Sequence, residues 1–331
     1  MTTISQNSVT KQENNEIFVG IDVSQDNLAV HILPTNEQLT IPNSAKGIKE
    51  LVKRFQKIQP TQILFEATGG LERNLLASLI AAGMAVVVLN PKQARDLAKG
   101  FRQLAKTDRA DAKILAKIAQ KCGFEPRPVP SGETMKMNDL VTRQRQLIRM
   151  RTMEKNQLHA AKQQNHAKYI LATHKQMIAS IQKQIDEIAK RIRDMIAANP
   201  DWNELDKIIR SIPGCGLKTA QMVIAAVFEI GRLNRQQIAA LIGLAPMADE
   251  SGKHFGKARI QGGRADVRGV LYMAAMNAIK KPGVFKALHD RLMAKGKLFK
   301  VAIVAVMRKL ITTINAMIKT KTQWNERGVR S

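Results

Sequence analysis

Three shortages narrow the reading of this 331-residue chain before any motif is sought. Cysteine is scarce: Cys122 and Cys215 are the only two, far apart and outside any C-x-x-C, so no disulfide framework is expected and both read as ordinary reduced thiols. Aromatic residues make up 4%, too few for a protein that works mainly by stacking unpaired bases. Long hydrophobic runs are missing as well. No stretch approaches the roughly eighteen uncharged apolar residues of a membrane span, and the polar start MTTISQNSVTKQENNE lacks the apolar centre of a signal peptide. The expectation is a protein of the cytoplasm with no membrane partner.

Acid is the fourth shortage. Lys and Arg number 53 against 27 Asp and Glu, a formal net charge of +26. A compact body so charged repels itself unless a polyanion is its working partner. Contacts to duplex or structured-RNA phosphates fit, with an affinity that falls steeply with salt. The surplus is uneven: residues 1–125 carry a net +4 and residues 126–331 a net +22. The second part is suited to grip a polyanion, and the first retains carboxylates.

The chain, 44% hydrophobic, is long enough to bury a substantial core and to divide into domains. Residues 17–23 (IFVGIDV) and 27–33 (NLAVHIL) are β-rich runs joined by Ser24-Gln25-Asp26, which predicts a hairpin extended by a third strand near 37–41. Ser44 caps a predicted helix over 45–58. Gln62–Phe65 predicts a strand ending at Glu66, and 70–82 a helix. Met84–Leu89 predicts a strand buried on both faces, with helices at 91–99 and 108–121. Three strands in a meander, followed by alternating helix and strand, predict an α/β domain of the RNase H-like type over 17–125, behind a disordered tail at 1–16. Three prolines between Pro126 and Pro130 break any helix and mark a boundary. Residues 132–198 have no proline and predict two long helices paired as an antiparallel coiled coil, so that 126–199 reads as linker plus long helices. Residues 200–320 predict a basic all-α domain, with a tail at 321–331.

Four acids stand where predicted strands end or a helix begins: Asp22 in GIDVS, Glu66 in LFEATGG, and Asp108 and Asp111 three apart in KTDRADA, hence on one helical face. Converging carboxylates are what magnesium and two-metal phosphoryl transfer require. Each acid also has an ordinary reading as a turn or cap residue, and Asp108 as the dipole-favoured acid of its helix. Glu72, Asp26 and Asp96 read as surface acids.

In the basic part, SIPGCGLKTA reads as helix, glycine turn and helix, where Gly214, Gly216 and Lys218 would let a phosphate approach a helix N-terminus. It is similar to a helix-hairpin-helix element, with an ordinary helix–helix turn as the alternative; Cys215 reads as packing and Ser211 as a helix-end residue. The Gly-rich, charged stretch from Met247 to Gly263 holds Ser251, with Arg259, Arg264 and Arg268 close in sequence and suited to bidentate phosphate contact. Such a serine is either a turn residue or a nucleophile. His254 either assists it or is a solvated loop histidine. Tyr272, in VLYMAAM, reads as helical core, and Tyr169 has no supporting cluster.

GIDVS, FEATGG, NPKQARDLAKG, LAKTDRADAKILA and the G-L-x-P…S-G…G…R…L-Y pattern together resemble the DEDD transposases of bacterial insertion sequences, the bridge-RNA-guided recombinases to which pilin-gene invertases are related. The resemblance runs from about residue 17 to about 315. It implies that the first domain is of the Holliday-junction-resolvase type, that its Asp22, Glu66, Asp108 and Asp111 bind Mg²⁺ (Mn²⁺ as a substitute), and that Ser251 forms a covalent phosphoserine link during strand cleavage and rejoining. Lys106 and Arg109, beside the paired acids, join the candidate nucleic-acid contacts. Implied partners are double-stranded DNA of element ends and target, a structured guide RNA, and further copies of the chain, a dimer assembling to a tetramer in which acids of one protomer meet the serine of another. A bacterial, nucleoid-associated setting follows. Two other readings stay open: a structure-specific, Holliday-junction-like metal-dependent endonuclease without a covalent intermediate, and a non-catalytic nucleic-acid-binding protein.

Overall fold

The computed structural model describes residues 16–101, 108–124, 130–247, 250–251, 254–255 and 259–325. The expected N-terminal tail falls almost wholly outside them, as does the end of the C-terminal tail. The chain forms two compact units divided at Val129 and Pro130, inside the proline-rich segment.

The first unit is built on a mixed five-stranded sheet. Its strands are β1 (Phe18–Val23), β2 (Asn27–Leu33), β3 (Glu37–Pro42), β4 (Gln62–Glu66) and β5 (Val86–Leu89), in the order β3-β2-β1-β4-β5. β1, β2 and β3 run antiparallel as a meander, whereas β4 lies parallel to β1 and β5 parallel to β4. The helices are α1 (Ala45–Ile58), α2 (Arg73–Ala81), α3 (Pro91–Gly100) and α4 (Asp108–Cys122). Ser44 caps α1 by accepting from the Gly47 amide at 3.2 Å, and Asn90 caps α3 from the Lys92 amide at 2.9 Å.

Alternation along the strands sorts the side chains onto two faces. Val19, Ile21, Val23, Ile63 and Phe65 pack with Ile48, Leu51 and Phe55 of α1 and with Leu75 and Leu79 of α2. Phe18, Leu64, Val87 and Leu89 pack on the opposite face with Ala94 of α3 and with Leu115, Ala116, Ile118 and Ala119 of α4. Gly20 belongs to this second face. A Cβ there would collide with the Ala112 carbonyl oxygen and the Ala116 amide nitrogen, so the missing side chain lets α4 lie directly on β1.

The second unit begins with two long helices, α5 (Gly132–Gln163) and α6 (Lys168–Ala198), folded back on each other through a short turn. Leu147 packs with Ile181 and Ile185 partway along the pair. At its root, Met137, Val141, Ile192 and Ile196 enter the same core as the later helices, so the long pair and the helical body form one unit rather than separate domains. Those helices are α7 (Pro200–Ser211), α8 (Leu217–Ala226), α9 (Arg235–Ile242), α10 (Ala265–Ala278), α11 (Val284–Ala294) and α12 (Phe299–Thr320).

The expectation of an all-α body is corrected between α9 and α10. There the chain forms four two-residue strands, β6 (Pro246–Met247), β7 (Glu250–Ser251), β8 (His254–Phe255) and β9 (Arg259–Ile260). β6 pairs with β9 and β7 with β8, both antiparallel, which makes a short β arm on a mostly helical unit. α12 also qualifies the expectation about apolar runs. It is long and apolar enough by composition to cross a membrane, but Ile303, Val306, Leu310, Ile311 and Ile314 are buried against the other helices, as befits a core helix.

His31 sits on β2 level with Gly20, buried on the α4 side of the sheet. Burial holds its pKa below the ordinary value, and Lys113 and Lys117 of α4 push the same way; Asn36 opposes them, without a ring hydrogen bond of ordinary geometry. The folded state therefore keeps the ring neutral where the unfolded chain protonates it. Stability from this site is complete above the unfolded value near 6.5 and declines as pH falls below it, by up to about 1.4 kcal/mol per pH unit. Urea denaturation at a series of pH values should show this decline, and His31→Leu should flatten it between pH 5 and 7; parallel curves for the two proteins would refute the assignment.

Candidate active site

The first unit brings its acids to one end of one sheet face. Ile21 is level with Phe65 in the parallel ladder, so the next residues, Asp22 and Glu66, follow side by side at the C-terminal ends of β1 and β4. Both belong to the face that packs against α4, and both are half-buried. The direction of α4 completes the set. Its far end is tied down by Gln62 at the start of β4, which donates to the Phe124 carbonyl at 2.5 Å, so its N-terminus points toward the strand ends that carry Asp22 and Glu66. Asp108 opens α4. Asp111 lies on its first turn, half-buried, just before Ala112 meets Gly20.

The side chain of Asp108 lies outside the described residues, as does all of Lys106. Arg109 is exposed. Among the described residues no group of three or more His, Cys, Asp or Glu stands close enough to hold a metal ion by itself.

Sequence reading set Glu72 aside as a surface acid, and the structure gives it a task. Its carboxylate accepts from the Thr68 amide at 3.1 Å, the Thr68 hydroxyl at 2.9 Å and the Gly70 amide at 2.9 Å. Burial opposes its ionisation, but these bonds together with its own amide outweigh that and hold its pKa below the usual value. Glu72 thus folds the loop that follows Glu66. The E-x-T-G-G-x-E spacing was the available signal.

In the second unit, Ser251 ends β7. It is level with His254 on β8, and Glu250 with Phe255, so Ser251 is the last paired residue before the hairpin turns. The side chains of 250–258 are outside the described residues; Arg259, on β9, is exposed. At the root of the arm the chain crosses itself. Cβ atoms on Gly243 or Gly263 would overlap the backbone of the opposite stem, and both glycines hold positive φ, 76° and 64°.

The two other arginines expected to contact phosphate instead turn inward and fasten this crossing. Arg268 donates to the Ile242 carbonyl at 3.0 Å and to the Gly262 carbonyl, one from each stem. Arg264 donates to Glu229 Oε1 at 2.6 Å, Glu229 Oε2 at 2.7 Å and the Ala226 carbonyl at 2.6 Å, and stacks over Phe228. Glu229 is buried, so removing Arg264 would strand a charge at a cost of about 3–5 kcal/mol.

The α7–α8 turn also divides its roles. Gly214, at φ 87°, packs against the α10 backbone at Ala274 and Ala278, where a Cβ would not fit. Gly216 is the exposed N-cap of α8, with nothing within 4 Å of where a Cβ would stand, and Lys218 is exposed beside it. Only the Gly216–Lys218 side is open to a phosphate. Cys215 is buried, which pushes its thiol up to about 12 and leaves it a packing residue. The Ser211 hydroxyl donates to the Ile208 carbonyl at 2.6 Å and accepts from the Trp324 amide at 2.9 Å, as suits a helix end. Tyr272, expected in the core, is 39% exposed on the outer side of α10.

Two family models match the chain. The first, described as a transposase and named for the DEDD enzymes of IS110 elements, spans residues 19–167; the second, the transposase IS116/IS110/IS902 family, spans residues 206–290. The chain belongs to the IS110 family of transposases. This transposase is 25% identical to the pilin gene-inverting protein of Moraxella bovis over 95% of this chain and 99% of that one. It is 25% identical to a putative transposase of Sinorhizobium fredii over 89% of this chain and 82% of that one. Among solved structures, RuvC of T. thermophilus in complex with a Holliday junction substrate is similar at 14% identity and a TM-score of 0.25, covering 33% of this chain and 96% of that one. The protein is therefore a DNA transposase, an enzyme of DNA recombination.

Two substitutions probe this geometry. Gly20→Ala should force α4 off β1 and destabilise the first unit by about 1–3 kcal/mol, seen as a lowered denaturation midpoint. Arg268→Ala removes a donor shared by both stems and should cost about 1–3 kcal/mol. Limited proteolysis should then cut between residues 243 and 263 sooner than in the wild type; an unchanged cleavage pattern would show that the arm does not depend on Arg268.

Proposed function

We propose that the transposase cleaves and rejoins DNA strands through a covalent phosphoserine, with Asp22, Glu66, Asp108 and Asp111 as Mg²⁺ ligands and Ser251 as nucleophile. The observation that carries the carboxylate half is the register of β1 and β4, which sets Asp22 and Glu66 side by side on the face that α4 covers, with Asp111 on the first turn of that helix. Hard oxygen donors suit Mg²⁺, with Mn²⁺ as a substitute, and the ion commonly takes one or two carboxylates together with substrate phosphates. Bound there, it would neutralise charge on a phosphate oxygen and favour phosphoryl transfer. The strand order and meander support an RNase H-like reading of the first unit.

The serine chemistry is a pair of exchanges. Ser251 Oγ attacks the scissile phosphorus; the Oγ–P bond forms as the bond from phosphorus to one sugar oxygen breaks, and the proton lost by serine is balanced by one gained at the departing sugar oxygen. A sugar hydroxyl from the new partner strand then attacks the phosphoserine and releases Ser251. The bond energy is kept, so rejoining needs no ATP. Exposed Arg109, exposed Arg259 and the Gly216–Lys218 helix start are candidate phosphate contacts that remain open. The reading includes a structured guide RNA that selects the DNA sites, and an oligomer in which acids of one protomer work with the serine of another.

The test is strand exchange on supercoiled donor and target plasmids with Mg²⁺ and the RNA transcribed from the element's flank. Ser251→Ala should abolish exchange and the covalent protein–DNA adduct seen on denaturing gels, and Asp22→Asn should lower exchange by at least 100-fold. Cleavage retained in Ser251→Ala would replace the proposal with the hydrolytic endonuclease. Activity retained in both variants would remove these residues from the chemistry.

A further inference from the structure

The turn between α11 and α12 exposes apolar side chains interspersed along the chain with lysines that no role above uses. Leu298 is 73% exposed, Val301 51% and Met293 39%, within nine residues of chain. Phe299, beside Leu298, is anchored edge-on against His289 at 5.6 Å between ring centres, so the turn is braced from within the domain. Lys295, Lys297 and Lys300 alternate with these side chains. All three are exposed, and none forms an ion pair among the described residues. The sequence holds no acid from Arg291 to Asn325, and the nearest one before it, Asp290, is engaged by Lys286 and His289.

Exposed apolar side chains set among basic ones suit a contact surface. A partner that fits it offers apolar surface together with negative charge. Stacked base pairs between two phosphate rails have that profile, and the net +22 of residues 126–331 favours a polyanion over an acidic protein. Duplex DNA, unlike an A-form RNA helix, is commonly entered from the minor groove by an apolar side chain that parts two base steps and kinks the duplex.

We propose that the α11–α12 turn is a DNA wedge, in which Leu298, flanked by Met293 and Val301, enters between base steps while Lys295, Lys297 and Lys300 hold the adjoining phosphates. The proposal rests on the function above only for the identity of the partner as DNA. Binding and bending are read without strand cleavage, so a failure of the serine chemistry leaves this test intact.

The full-length protein is titrated onto a duplex of about thirty base pairs carrying end dyes for energy transfer and internal 2-aminopurine. Leu298 is exposed and makes no side-chain cap, so Leu298→Ala should keep the wild-type melting temperature. It should keep the salt dependence of binding while losing the bend and the 2-aminopurine signal. The triple variant K295Q/K297Q/K300Q should lower the slope of log affinity against log salt by about 2.7, the share of three phosphates. Wild-type bending in Leu298→Ala, or an unchanged slope in the triple variant, overturns the wedge. Sedimentation velocity and anionic-vesicle flotation complete the test: a change in self-association or in vesicle binding without a change on DNA assigns the turn to another copy of the chain or to a lipid surface.

Discussion

The first unit turns on a close approach between a helix and a strand. α4 lies against β1 at a distance that residue 20 permits only by having no side chain, and the acids depend on that contact. With α4 seated at Gly20, its first turn, which carries Asp111, comes to the strand ends that carry Asp22 and Glu66. Held farther out, the helix would leave two carboxylates on the sheet and two on a separate body. The neutral His31 beneath it fits the same constraint: a protonated ring would place charge between the sheet and the lysine-bearing side of α4.

The sequence disclosed the first unit well because its signals are local. The alternation of Val19, Ile21 and Val23 with Phe18, Gly20 and Asp22 sets strand faces, and Ser44 and Asn90 mark helix starts. The placement of Asp22 and Glu66 was legible because they end apolar runs where a polar residue is unexpected. The second unit was legible in its long helices and in the packing role of Cys215, and much less so around Ser251. Arg264 and Arg268 look like phosphate contacts when read by their neighbours along the chain. Their actual partners are Glu229, thirty-five residues away, and carbonyls on a stem that meets its return only in the folded state. No local pattern announces such pairing. The short strands of the arm were missed for a related reason: two-residue pairings are too brief to show an alternation. Tyr272 was misplaced because an apolar stretch in a helix always leaves one side facing out, and composition cannot say which.

The arm that carries Ser251 and the sheet that carries the acids are fixed in opposite manners. The acids stand on regular secondary structure, where position follows from hydrogen-bond register. The serine stands on a hairpin held at its root by two glycines that exclude side chains and two arginines that bind backbone and a buried acid. In the proposed reaction the carboxylates would supply fixed charge and Ser251 the nucleophile, so the two roles would fall to two different kinds of support.

The parallel ladder between β1 and β4 also constrains how this part of the chain can vary in length. Side chains alternate faces with every residue, so losing a single residue upstream of Asp22 within β1, or upstream of Glu66 within β4, would carry that carboxylate through the sheet to the layer beneath α1 and α2. The hydrophobic positions would invert with it. Length changes in these two strands are therefore confined to pairs of residues or to the loops, whereas the turn between α5 and α6 has no such parity to keep.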